Sequence, residues 1–402
     1  MKWLTQVITI FYILLSANFS FATNPKFIDF QFIPTNGAVD WEYFMINGDS
    51  YLAVANRQND EHTSINSKIY KWNGSEFIEF QNVLSNSARD WESFYISSDT
   101  YLALANYDGN SYIFKWNGTE FEEIQSIATT GASLDCNFFR IDNDSYLALA
   151  NYHDGNSFNI NSVIYKWNGN SFIPFQLIPT SGAGDWEYFI IDGEKYLALA
   201  NQYNGITRKI DSKIFKWNGT KFEEFQSIPT NEARAWESFV INEIFFLSVA
   251  NFCDDSTHNI NSIIYQWDGV SFKHFQSIPT IGSDDILNFS IYGEHYLAVA
   301  NSTEQGNSEL NAFIYKWNGT SFLEYQSIQT FGVRKLESFI INGIPYLAIA
   351  NWRNNTTYNI DSRIYKWNFG IDCGLKGDFN DDGVIDLKEA IHALQIVSDV
   401  KK

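Results

Sequence analysis

Cysteine is scarce in this 402-residue chain: Cys136, Cys253 and Cys373 are the full complement. An odd count of this size excludes a small fold framed by disulfides and permits at most one internal bridge. Proline is scarce as well, with 7 residues, yet the chain is 45% hydrophobic and 17% aromatic, which excludes a disordered or low-complexity protein. Basic charge is in deficit: 27 Lys and Arg face 47 Asp and Glu, for a net charge of -20. Such an acidic chain does not bind nucleic acid through phosphates, nor an anionic membrane surface. Past residue 22 no run is apolar enough to span a bilayer. Residues 1–22 combine one Lys, the run VITIFYILL and Ser20-Phe21-Ala22 as a small-x-small cleavage site. These are the parts of a secretory signal peptide, so the mature protein is expected to be soluble and secreted, with no membrane span.

What the chain has in abundance is repetition. YLAVAN (Tyr51 to Asn56) returns six times in close variants, its last Asn falling at 56, 106, 151, 201, 251, 301 and 351. Each unit reads as four short strands: WEYFMI from Trp41, YLAVAN from Tyr51, KIYKW from Lys68 and FIEFQ from Phe77. The turns Asn47-Gly48 and Asn73-Gly74 read as two-residue hairpin turns with positive φ at both positions. Four antiparallel strands repeated seven times at 45 to 50 residues indicate an all-β, seven-bladed β-propeller. The seventh unit stops after RIYKW (Arg363 to Trp367), while an orphan fourth strand, FIDFQ (Phe27 to Gln31), stands at the other end of the chain. The N-terminal strand is therefore expected to close the ring as a clasp.

The pattern F-x-x-F-Q-x-I-x-T-x-x-A-x-D-W-E-x-F, then Y-L-A-[VLI]-A-N, then I-Y-K-W-N-G, resembles the EAR (epitempin) repeat over residues 27 to 370. That resemblance implies a propeller that binds other extracellular proteins and performs no catalysis.

The candidate recognition surface is the set of loops between second and third strands, among them RQNDEHTSINS from Arg57 and YHDGNSFNINS from Tyr152. They are long, polar and unlike one another on a uniform scaffold, which suits an extracellular protein partner or, alternatively, a glycan. A second candidate site lies at the channel mouth. Asp40, Asp90, Asp135, Asp185 and Asp285 share one column, interrupted by Ala235 and Lys335. Glu42, Glu92, Glu187, Glu237 and Glu337 share another, two residues on. Carboxylates converging on one axis either recruit a hard cation such as calcium or act as caps of the turns that lead into their own strands. The Trp column, Trp41, Trp91, Trp186 and Trp236, reads as packing between blades. Nothing in the chain matches G-x-S-x-G or H-E-x-x-H, and the six His share no repeat position. A glycan-acting hydrolase using the carboxylates is the remaining enzymatic alternative.

Beyond a linker at 371–377, residues 378–402 depart from the repeat. Asp378, Asn380, Asp382, Val384, Asp386 and Glu389 occupy positions 1, 3, 5, 7, 9 and 12 of an EF-hand calcium loop, with Gly383 at 6. Leu387, Ile391, Leu394 and Val397 then mark one face of a helix. The segment resembles one half of a dockerin module, although its twelfth residue is Glu where dockerins usually carry Asp. Calcium is the expected cofactor.

Overall fold

The computed structural model describes residues 24–129 and 131–370. The expected leader (1–22), linker (371–377) and calcium loop with helix (378–402) lie outside those residues. Among the described residues the regular elements are all strands. β1 spans Lys26–Asn36, β2 Ala38–Ile46, β3 Asp49–Asn56, β4 Ser64–Trp72 and β5 Phe77–Asn86. Strands β2 to β5 form one antiparallel sheet in chain order, and there are seven such four-stranded sheets. The seventh is built from Val333–Ile341, Ile344–Asn351 and Asn359–Asn368, with β1 as its outer strand. The protein is thus a seven-bladed propeller, and the orphan FIDFQ segment is the clasp. Asp29–Tyr365 is one compact unit. Residues 24–28 and 366–370 belong to a second, in which Phe27 meets Trp367 edge to face at 5.0 Å.

The alternation in YLAVAN has a packing cause. Ala53 and Ala55 of blade 1 lie in one cluster with Trp91, Leu102 and Leu104 of blade 2. Leu52, Val54 and Trp41 of blade 1 pack with Ala348 and Ala350 of blade 7. Each blade therefore offers a face of small residues to the large residues of the next, so the sheets approach closely with few voids. The Trp column is buried between blades, as its pattern suggests: Trp41, Trp91, Trp186 and Trp236 are at most 4% exposed.

The strands are longer than their apolar pattern. β4 starts at Ser64 rather than Lys68, so the last part of each apparent loop is strand. Polar residues disguise it. Ser67 is fully buried, takes the main-chain N–H of Asn56 at 3.1 Å and shares a hydrogen bond with Ser85 at 2.9 Å. The W-N-G turns also differ from the reading above. Asn47 and Gly48 both have positive φ, at 52° and 90°, but at the β4–β5 turn only Gly74 does, at 106°. That turn is a four-residue loop, in which Asn73 Oδ1 accepts the N–H groups of Ser75 and Glu76 at 2.9 and 3.0 Å. Asn is there for its side chain.

Candidate functional site

Each first strand opens with a bulge. Pairing with the second strand jumps from Ala38 to Asp40, from Ala88 to Asp90 and from Ala183 to Asp185. A bulge re-aims side chains, and here two successive residues line the channel: Arg89 with Asp90, Gly184 with Asp185, Asp284 with Asp285. The five aspartates of the predicted column do converge on one cavity of about 170 Å³, and the five glutamates share it.

Their hydrogen bonds answer what they do there. Asp40 Oδ2 accepts the N–H of Trp91 at 2.8 Å, Asp90 that of Cys136 at 3.0 Å, and Asp135 that of Trp186 at 2.9 Å. Asp185 accepts from Trp236 at 2.8 Å and Asp285 from Leu336 at 2.9 Å. The glutamates repeat the arrangement one layer down, from Glu42 with Ser93 at 2.9 Å to Glu337 with Tyr43 at 3.3 Å across the seam between blades 7 and 1. Every one of these bonds reaches the following blade, so the carboxylates are staples between blades rather than caps of their own turns. Among the described residues no group of three or more His, Cys, Asp or Glu is arranged to hold a metal ion.

Lys335, which interrupts the aspartate column in sequence, supplies a cation inside it, with Nζ 3.8 Å from Asp285 Oδ1. The aspartates around it hold its amine above the ordinary range. Burial, reinforced by neighbouring carboxylates, raises the ring in turn. Asp90, Asp185, Glu42 and Glu187 are pushed up to about 7, and Asp40, Asp135 and Glu92 rise as well. Cys136 donates its thiol to Asp90 and Cys253 donates to Glu232. Both are free and buried.

Above the carboxylates lies a rim the sequence pattern did not reveal. Ring contacts there join Arg89, Arg234 and Arg334, which line the cavity with Asp284, to the first loop residues Arg57, Tyr107, Phe252 and Trp352. Guanidinium groups stack on rings throughout, Arg234 over Phe252 and Arg334 over Trp352, each at 4.1 Å. The only sequence signal was the residue just before each channel aspartate, which strand alternation assigns to the opposite face.

The loops behind the rim are ordered by their own side chains. Asn59, Asp154, Asn204, Asp254 and Asn354 each accept the N–H groups two and three residues on. Neighbouring loops are also tied: Asp60 accepts from Thr357 and Tyr358, Asp255 from Thr207 and Arg208, and Asn355 from Ser308. The polar loops are a preorganised surface. The calcium-loop residues Asp378, Asn380, Asp382, Val384, Asp386 and Glu389 lie outside the described residues.

Comparison with known proteins agrees with this architecture. The likeness to solved structures is one of fold alone: a Bacteroides fragilis protein described as a putative 6-phosphogluconolactonase superposes with a TM-score of 0.56 over 76% of this chain and 88% of that one, at 14% identity. The thrombospondin-type laminin G domain and EAR repeat-containing protein of Mus musculus is 46% identical over 54 residues, 13% of this chain and 8% of that protein. Its Homo sapiens counterpart is 48% identical over 48 residues, 12% of this chain and 7% of that protein. Matched segments thus span less than a tenth of either relative. The EPTP domain matches seven consecutive segments, 26–73, 76–117, 120–168, 171–218, 221–268, 271–318 and 321–368. These segments take up most of the chain, one per propeller repeat, and the chain belongs to the EPTP (EAR, epitempin) repeat family.

Proposed function

We propose that this is a secreted, calcium-binding interaction protein without catalytic activity, whose loop face binds an extracellular protein. The observation that carries the reading is the loop face itself: seven repeats of one scaffold present unlike loops, five of them braced by their own Asn or Asp side chain and several tied to their neighbours. Rigid presentation of varied side chains is what recognition requires. The carboxylates of the channel each accept a main-chain N–H in equivalent ways, and a hydrolase needs two with different tasks.

Two sets of measurements test this. Binding partners recovered from extracellular fluid by the intact protein should be lost with Tyr107→Ser or Trp352→Ser on the rim and kept with a substitution on the opposite face, such as Val240→Ser. Binding to a glycan array instead would favour a lectin, and turnover of chromogenic glycosides would overturn the non-catalytic reading. Calcium titration of the full chain should show a site abolished by Asp382→Ala or Glu389→Gln in the 378–389 loop. Calcium binding that survives both changes would move the site to the ring of Asp40, Asp90, Asp135, Asp185 and Asp285.

A further inference from the structure

We propose that the loop-face mouth of the channel is a carboxylate-binding site, in which the Arg89 guanidinium, with Arg57 beside it across the Tyr107 ring, receives a carboxylate carried by the ligand. The proposal rests on the loop face being the recognition surface and names the chemistry recognised there.

Four guanidinium groups meet at the mouth, and only two have anions. Arg334 Nη1 binds both oxygens of Asp284, at 2.9 and 2.7 Å. Arg234 donates to Glu232 and stands 3.8 Å from Asp284. Arg57 and Arg89 make no ion pair with any described residue, while the buried Nε atoms of all four arginines have no hydrogen-bond partner. What they do touch is aromatic: the Tyr107 ring lies 5.4 Å from Arg57 and 5.9 Å from Arg89, and Trp352 lies 5.6 Å from Arg57. Burial and the neighbouring arginines draw Arg57 down to about 10 and Arg89 well below its ordinary value. Both side chains are half-buried, and a cation drawn partly out of water without an anion is costly.

A second, independent group lines the same cavity. Gln202 is 2% exposed, and its Oε1 has no donor. It lies over Gly184, where a Cβ would fall 2.1 Å from the Gln202 amide nitrogen. Turned about its last bond, this amide presents NH₂ to an incoming oxyanion. Glycine keeps the space for it.

The size and charge of the site select a carboxylate. The cavity holds about 70 Å³, room for one small polar group. Its floor is the aspartate ring, which repels a phosphate or sulfate dianion more than a monoanion. The guanidinium fork matches two carboxylate oxygens.

The test follows thermal unfolding of the full mature chain in sodium acetate against sodium chloride at equal ionic strength. Acetate is expected to raise the midpoint saturably in the native protein. Arg89→Gln and Arg57→Gln should each weaken acetate roughly 10- to 100-fold, as expected for a lost charge-assisted hydrogen bond. Without acetate the Arg89→Gln protein should unfold no earlier than the native one, because an unpaired charge has gone. An earlier midpoint would assign Arg89 a structural role and overturn the proposal. So would an acetate effect no larger than that of chloride, one unchanged in both variants, or a larger effect of sulfate than of acetate. Capped Gly-Glu-Gly and acetyl-Gly-Gly acid then separate the sources: competition by the first alone identifies a partner's acidic side chain, and competition by the second alone a terminal or free acid. If acetate fails while Trp352→Ser still abolishes partner capture, the interaction reading stands and only the carboxylate site falls.

Discussion

Asp185 shows how a residue that reads as a metal ligand works in another way. Its Oδ2 accepts the main-chain N–H of Trp236 in the next blade at 2.8 Å, and burial pushes its carboxyl up to about 7. The acceptor, rather than the charge, is what the fold uses. Asp185→Ala leaves that N–H buried and unpaired and should cost about 1–3 kcal/mol. Asp185→Asn keeps an oxygen in place and sheds a repelled charge, so near neutrality it should be at least as stable as the native protein. Urea denaturation of both variants decides the matter: equal losses would mean that the charge was needed. Lys335 is the complementary case. In sequence it breaks a column, while in the folded protein it sits among the aspartates as their counter-ion.

Among the elements, β1 carries the closure of the ring, and the glutamine of its FIDFQ motif shows how. Gln31 clamps the peptide of Phe77 in blade 1, giving Nε2 to the carbonyl at 2.7 Å and taking the N–H at 2.9 Å. Gln176 makes the same pair of bonds to Phe222, at 2.8 and 2.9 Å, and Gln81, Gln125, Gln226 and Gln276 do likewise. The recurring Gln is therefore a clamp from one outer strand to the next, shown at six of the seven. If β1 is an outer strand like the others, Gln31→Ala and Gln176→Ala should each cost roughly 1–3 kcal/mol, for two hydrogen bonds at about 0.5–1.5 kcal/mol apiece. A much smaller loss for Gln31→Ala, measured by the same denaturation, would show that the seam opens before the rest of the ring. Removing β1 altogether should expose the edge of Asn359–Asn368 and make the protein aggregate.

For the whole molecule, the carboxylate channel sets the pH dependence of stability. Asp90, Asp185, Glu42 and Glu187 titrate near 7 when folded, against roughly 4 for unfolded carboxylates. Between those values the folded state holds more protons than the unfolded state, so stability falls as pH rises and the contribution is lost on passing about 7. Surface carboxylates with depressed values, such as Asp60 and Asp254, act in the opposite sense, but only below the ordinary carboxylate range. In a chelating buffer the urea midpoint should accordingly be higher near about pH 5 than near about pH 8. The combined change Asp90→Asn and Asp185→Asn should flatten that slope. A midpoint that rises towards alkaline pH would show the ring to be ionised and compensated, which is the behaviour of a bound cation.

The sequence by itself determined the number of blades, the closing role of FIDFQ, the burial of the Trp column and the convergence of the aspartates. All of these follow from periodicity, because a repeated unit forces equivalent residues into equivalent places. Only the tertiary structure decided what those residues meet. The partners of Asp40, Gln31 and Ala53 lie in adjacent blades, tens of residues away, and no local pattern names them. The arginine rim escaped for a sharper reason. A bulge at the start of each first strand sets two successive residues toward the channel, and the two-residue alternation of an ideal strand places Arg89 and Asp90 on opposite faces.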